Sequence, residues 1–141
     1  MRLVIDASVI IKWLFADPAR EEHTERATTL MAAVVQQQVS AVQPVHWLAE
    51  VGAVLAREAP EKAEEDIALL SVLGLTIQDG PEILRRACRL AIGLNHHLFD
   101  TLYHAVALET ESVLVTADAH YLAKARDLGQ IMHLVEWASA E

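Results

Sequence analysis

The chain has 141 residues, of which 53% are hydrophobic, and its formal net charge is −9 at pH 7. This length fits one domain, residues 1–141, and the single cysteine excludes both an intrachain disulfide and a four-cysteine zinc site. The negative charge argues against a basic surface that binds nucleic acid non-specifically. We find no signal-peptide pattern and no apolar run near the roughly 20 residues that span a bilayer, so we expect a cytoplasmic protein. The hydrophobic surplus suits an apolar interface, most simply with a second copy in a homodimer or with a partner protein, and it equally suits a core rich in alanine and valine.

Short apolar runs alternate with helix-like segments along the whole chain. Predicted strands lie at residues 2–6, 39–43, 75–78, 112–116 and 131–135. Predicted helices lie at 8–15 with Ser8 as N-cap, at 19–37, 44–57 and 60–72, from Asp79–Pro81 through Ala91, and at 99–109 and 119–128. This alternation predicts an α/β fold, a three-layer sandwich with a central, mostly parallel sheet of four to five strands flanked by helices.

Two predicted strands end with the same pattern, in which an apolar run is followed by a hydroxyl and a carboxylate. Asp6 and Ser8 follow the first strand in LVIDAS, and Thr116 and Asp118 follow the fourth in LVTAD. In open α/β sheets, ligands bind outside the carboxyl ends of the strands. If these two strands are neighbours, both carboxylates face one crevice.

Two further carboxylates interrupt apolar helices. Glu50 lies in HWLAEVGAVL, and Asp100 lies at a helix start in LFDTLYHAVAL. Each of the four acids has an ordinary interpretation, as a helix cap, a strand-end group or an exposed residue. Together they are harder to explain, because two carboxylates about 4 Å apart repel by about 4 kcal/mol at an effective dielectric near 20. A divalent cation removes this repulsion, and oxygen ligands suit Mg²⁺ or Mn²⁺. The sequence therefore predicts that such an ion activates water for phosphoryl displacement.

Four segments together carry a resemblance to a known family: VIDASVIIKWL, HWLAEVGAVL, LFDTLYHAVAL and LVTADAHYL. They resemble the PIN-domain ribonucleases, and among these the VapC-type toxins of bacterial toxin–antitoxin pairs. The resemblance implies a PIN-like fold and an Mg²⁺- or Mn²⁺-dependent endoribonuclease that hydrolyses RNA phosphodiesters. It also implies a homodimer and a cognate antitoxin that blocks the site with a basic or apolar segment.

The resemblance carries over to individual positions of this chain. Asp6, Glu50, Asp100 and Asp118 match the catalytic, metal-binding acids of the family, and Ser8 and Thr116 match the hydroxyls that support them. Some members have a further acid shortly after the fourth position. This chain has Ala119 and His120 there, which leaves the number of metal ions and the role of His120 open.

Two other functions stay open from the sequence. An aspartate-based phosphatase also begins with a strand that ends in Asp, but it needs a second Asp where this chain has Ser8. A non-catalytic PIN-like binding module is the other alternative, and the intact set of four acids weighs against it.

Three other residues raise subsidiary expectations. His96, Asp100 and His104 have a spacing that would suit zinc or iron on one continuous helix, but residues 95–97 are predicted to form a loop. We therefore expect His104 to be packed near the site rather than to bind metal. Cys88, among apolar neighbours, is predicted to be a small buried residue.

Overall fold

The structure is a computed structural model that describes residues 2–138. Its strands are β1 (Arg2–Ile5), β2 (Ser40–Gln43), β3 (Thr76–Ile77), β4 (Val113–Thr116) and β5 (Ile131–His133). Its α-helices are α1 (Ala7–Leu14), α2 (Thr24–Val35), α3 (Trp47–Glu58), α4 (Ala63–Ser71), α5 (Pro81–Leu94), α6 (Leu98–Glu109) and α7 (Ala119–Ala125). Short 3₁₀ turns follow at Arg126–Leu128 and Leu134–Glu136.

The five strands form one sheet in the order β3-β2-β1-β4-β5, and all neighbouring pairs are parallel. The predicted α/β fold with a central parallel sheet is therefore confirmed. β1 and β4 are neighbours, with Ile5 opposite Val115. The strand order reverses between them, which is the position where open α/β sheets bind ligands. No helix in the described part of the chain is long and apolar enough to cross a membrane.

The central strands are buried on both faces. Leu3, Val4 and Ile5 of β1 have no exposed surface, and Leu114 and Val115 of β4 have almost none. Helix α6 packs on this sheet with seven consecutive buried positions from Thr101 to Ala107. The uninterrupted apolar runs that predicted parallel strands thus correspond to strands covered on both sides.

Three sequence-based details were wrong. The N-cap of α1 is Asp6, whose side chain accepts a hydrogen bond from the Ser8 amide, so the helix begins two residues nearer to β1 than a Ser8 cap would allow. The predicted helix at 19–37 begins only at Thr24. The preceding residues 18–22 form a turn and a bend, and His23 has a left-handed backbone that does not belong to a helix. Cys88 is exposed, because α5 buries the face that carries Ile83 and Ala87.

Gln43 replaces a backbone rung of the sheet with its own side chain. It is fully buried, its Oε1 accepts a hydrogen bond from the Ile5 amide at 2.8 Å, and its Nε2 donates to the Ile5 carbonyl at 2.9 Å.

Gln43→Leu keeps a similar volume but leaves both Ile5 groups unpaired in the core. We expect the free energy of unfolding to fall by about 2–4 kcal/mol. Urea unfolding followed by circular dichroism measures this, with exposed Gln78→Leu as the control that changes little. A loss as small as that of the control would contradict the assignment.

Candidate metal site

The structure brings the four predicted carboxylates to one cavity of about 400 Å³. Asp6 lies at the end of β1, Glu50 on α3, Asp100 in the first turn of α6, and Asp118 at the N-cap of α7. The pairing of β1 with β4 places Asp6 and Asp118 at the same edge of the sheet. The expected convergence is therefore present, while the role of these residues as metal ligands stays a prediction.

The folded structure raises the pKa of Asp6 although three hydrogen bonds reach its carboxylate. Its Oδ2 accepts hydrogen bonds from the Ser8 amide at 3.1 Å, from the Ser8 hydroxyl at 2.5 Å and from the Thr116 hydroxyl at 3.4 Å. Burial nevertheless raises the pKa of Asp6 from 3.8 to about 7, and the charges of Glu50 and Asp100 add to the rise, while the two Ser8 bonds oppose it. A cation in this cavity would offset both causes of the rise, because it favours the ionised carboxylate.

Ser8 and Thr116 connect the ends of the two central strands. The Ser8 hydroxyl donates to Asp6 and accepts a hydrogen bond from the Ala117 amide at 3.0 Å. The Thr116 hydroxyl donates to Asp6 and accepts from the Asp118 amide at 3.0 Å. Each hydroxyl thus ties Asp6 to the segment that carries Asp118. This arrangement is what the predicted supporting role requires.

Asp118 caps helix α7 and still has capacity for another partner. Its Oδ1 accepts hydrogen bonds from the amides of His120 at 3.0 Å and Tyr121 at 3.1 Å. Among the described residues, both of its hydrogen bonds as a side-chain acceptor use this one oxygen. The ordinary interpretation of Asp118 as a cap is therefore right, and it leaves Oδ2 available to a ligand in the cavity.

Glu50 carries a buried oxygen that accepts no hydrogen bond. His46 Nε2 lies 3.1 Å from Glu50 Oε2, but the same nitrogen lies 2.9 Å from the Phe99 carbonyl and is hydrogen-bonded there. Within the described residues, Glu50 Oε2 has no hydrogen-bond partner. Burying an anionic oxygen without a partner is costly, and a cation or a water would supply the missing one.

His96 is a functional candidate that the sequence analysis considered only as part of a zinc or iron site on one continuous helix, and did not retain. Its Nε2 lies 2.8 Å from Asp100 Oδ2, and His96, Asp100 and Asp118 each offer an atom within 4.8 Å of the others. The spacing of His96 and Asp100 was visible in the sequence, but the loop between α5 and α6 hid the fact that their side chains meet.

His104 does not join this group, as expected from the loop. It is fully buried, its Nδ1 is bonded to the Tyr121 hydroxyl at 2.9 Å and its Nε2 to the Gly129 carbonyl at 2.8 Å. Burial lowers the pKa of His104, which favours the neutral ring. His104 is therefore a packed core residue. A continuous metal-binding face of His96, Asp100 and His104 does not form.

An apolar cavity adjoins the acidic one and shares two of its carboxylates. It has a volume of about 420 Å³ and is lined by His46, Ala49, Glu50, His97, Phe99 and Asp100. Phe99 keeps 61% of its surface exposed beside it. A molecule that covers the carboxylates would therefore also meet an apolar surface.

Comparisons with known proteins identify the family and the fold. Residues 3–127 match the PIN domain family. No curated protein matches the sequence. The fold is similar to VapBC-1 from nontypeable Haemophilus influenzae, with a TM-score of 0.64 at 15% identity over 96% of this chain and 100% of that one. It is also similar to VapBC2 from Rickettsia felis bound to promoter DNA, with a TM-score of 0.67 at 12% identity over 98% and 100% of the two chains. A third similar structure is Mycobacterium tuberculosis VapC20, a sarcin-ricin loop cleaving toxin, with a TM-score of 0.67 at 15% identity over 86% and 93%.

Proposed function

The chain belongs to the PIN domain family, and on this premise we propose that it is a divalent-metal-dependent endoribonuclease, the toxin of a toxin–antitoxin pair. One observation carries the proposal: four carboxylates from four separate elements line one cavity at the reversal point of a parallel sheet. The shared fold with an RNA-cleaving toxin, VapC20, supports the choice of RNA as substrate.

The residues fit an Mg²⁺ or Mn²⁺ ion. The donor set consists mainly of carboxylate oxygens, Asp6 has a raised pKa that a cation would lower, and Glu50 Oε2 is a buried anionic oxygen without a partner. Asp6, Asp100 and Asp118 would hold the ion, and Glu50 would hold a second ion or orient the water. When bound, such an ion lowers the pKa of a water molecule and stabilises the charge that develops on the phosphodiester.

The chain's own side chains prepare this chemistry in advance. Ser8 and Thr116 bond one oxygen of Asp6 and leave Oδ1 free of them, and the α7 amides hold Asp118 in the same way. Glu50 lines the same cavity, and its carboxylate would orient the attacking water there. Because these ligands are already positioned, little reorganisation is needed when substrate arrives.

The surroundings of the cavity favour an antitoxin that combines apolar and basic side chains. The apolar cavity beside Phe99 would take an apolar residue, and the adjoining carboxylates would take a basic one. A chain with a net charge of −9 also attracts a cationic partner. The similar VapBC-1 and VapBC2 structures support a partner of this kind. We also propose a homodimer, which the 53% hydrophobic content favours.

The test is cleavage of total cellular RNA by the purified chain, freed of any bound partner, with Mg²⁺ or Mn²⁺ and with EDTA. We expect discrete fragments that disappear in EDTA and return when Mn²⁺ is restored. We expect Asp100→Asn to reduce the rate about 100-fold or more, because it removes a charged ligand. Asp127→Asn, at an exposed position outside the cavity, is the matched control and keeps full activity.

Two results would count against the nuclease. Fragments that persist in EDTA would indicate a contaminating ribonuclease, and EDTA-sensitive fragments that persist at the full rate with Asp100→Asn would show that Asp100 does not hold the ion. A folded chain that makes no metal-dependent fragments would favour the non-catalytic binding module.

A further inference from the structure

We propose that His96 supplies a nitrogen ligand to the metal ion, beside Asp100 and Asp118, and that this nitrogen makes the site favour Mn²⁺ over Mg²⁺. The inference rests on the proposed metal-dependent function and deepens it, because it names the ligand set and the class of ion.

The closest pair of these three side chains has the spacing of neighbouring metal ligands. His96, Asp100 and Asp118 each present a donor atom within 4.8 Å of the other two, and His96 Nε2 lies 2.8 Å from Asp100 Oδ2. Adjacent ligands on an octahedron with bonds of about 2.1 Å are separated by about 3.0 Å. The observed nitrogen–oxygen separation is therefore close to that of two neighbouring ligands.

The backbone between α5 and α6 aims His96 at the carboxylates. Asn95 ends α5 in a left-handed conformation, with φ of 50°, which asparagine tolerates better than most residues. The His96 amide then bonds to the Ala91 carbonyl at 3.0 Å. The His96 ring packs on Tyr121 with centroids 4.8 Å apart, and only 7% of its side chain is exposed. The imidazole is thus held in place before any ion binds.

Lys124 also contacts the ring on its other side. Its Nζ donates to the Asn95 carbonyl at 3.0 Å and lies 3.3 Å from His96 Nδ1. When Nε2 gives its lone pair to an ion, Nδ1 carries the proton, so Lys124 keeps its bond to Asn95 and releases the longer contact. Without an ion on the ring, His96 Nδ1 accepts a hydrogen bond from Lys124, and Nε2–H donates a hydrogen bond to Asp100. The two arrangements differ in whether nitrogen is bonded to the ion.

The expected metal preference follows from the ligand chemistry. Mg²⁺ strongly prefers oxygen ligands and gives up its bound waters reluctantly. Mn²⁺ and the other divalent first-row transition-metal ions bind imidazole nitrogen more readily than Mg²⁺ does. Removing the His96 ring should therefore weaken Mn²⁺ binding more than Mg²⁺ binding.

The experiment uses pulsed electron paramagnetic resonance of Mn²⁺ bound to the full chain without RNA. We expect the coupling of a directly bound ¹⁴N, which changes to the ¹⁵N pattern when only histidine is labelled. His96→Asn should abolish the coupling and, by calorimetry, weaken Mn²⁺ binding about tenfold with a smaller change for Mg²⁺. His23→Asn is the matched control, because His23 is exposed, lies outside the acidic cavity and has a left-handed backbone that asparagine tolerates. This control should keep both the coupling and the affinity.

His96→Gln tests the positioning alternative. Its amide can still donate to Asp100 but contains no imidazole, so the proposal expects it to behave like His96→Asn. Restored Mn²⁺ affinity in His96→Gln would overturn the proposal, as would Mn²⁺ that binds the wild type without a directly bound nitrogen. In both cases the proposed metal site itself would stand. Failure of Mn²⁺ to bind at all, or binding unaffected by Asp100→Asn, would instead remove the metal site and the His96 proposal together.

Discussion

Asp6→Asn should reduce metal-dependent RNA cleavage by about 10³-fold while leaving the metal-free protein at least as stable as the wild type. The activity falls because a neutral amide cannot replace a carboxylate that holds a divalent ion. The stability is kept because an amide oxygen still accepts the Ser8 bonds that begin α1, and no charge has to be buried beside Glu50 and Asp100. At pH 8 in EDTA we expect the free energy of unfolding to rise by about 1–2 kcal/mol.

Urea unfolding in EDTA and initial cleavage rates in Mn²⁺ measure the two effects on the same preparations. Asp79→Asn, which changes an exposed acid after β3, is the control and should alter neither quantity. A large loss of stability in Asp6→Asn would mean that Asp6 serves the fold, and retained cleavage would mean that it is not a metal ligand.

The stability of the metal-free protein should increase as the pH falls from about 7 towards 4. The pKa of Asp6 is about 7 in the folded chain, against an ordinary value of 3.8. Between these two values the folded state binds more protons than the unfolded state, so the free energy of unfolding decreases as the pH rises. The contribution is present below about pH 4 and is lost as the pH rises through 7. Its upper limit is on the order of 4 kcal/mol.

Urea unfolding at pH 5 and pH 8 in EDTA, for the wild type and Asp6→Asn, isolates this contribution because the other acids titrate in both proteins. The wild type should lose more stability than the variant between these pH values. Saturating Mn²⁺ should make the pH dependence of the free energy of unfolding the same in both proteins, because a bound cation keeps Asp6 ionised. Mn²⁺ binding to the wild type near pH 7 should release about half a proton. Parallel pH profiles for the two proteins would show that Asp6 titrates normally.

The sequence by itself determined the fold class and the candidate acids. Apolar runs such as Leu3–Ile5 alternate with helical segments, and this local periodicity is set by which faces of each element are buried. Asp6, Glu50, Asp100 and Asp118 stood out because each interrupts an apolar segment, where an unpaired charge is costly. Both signals are local, so they can be seen without knowing which elements are neighbours.

The tertiary structure alone decided which side chains meet. The neighbouring position of β1 and β4 brings Asp6 and Asp118 to the same edge of the sheet and to one cavity, although 112 positions separate them in the sequence numbering. The left-handed turn at Asn95 aims His96 at Asp100, and the bond from His46 to the Phe99 carbonyl leaves Glu50 Oε2 without a partner. Periodicity cannot predict such contacts, because strand order, cap conformation and competition for donors depend on how distant segments pack together.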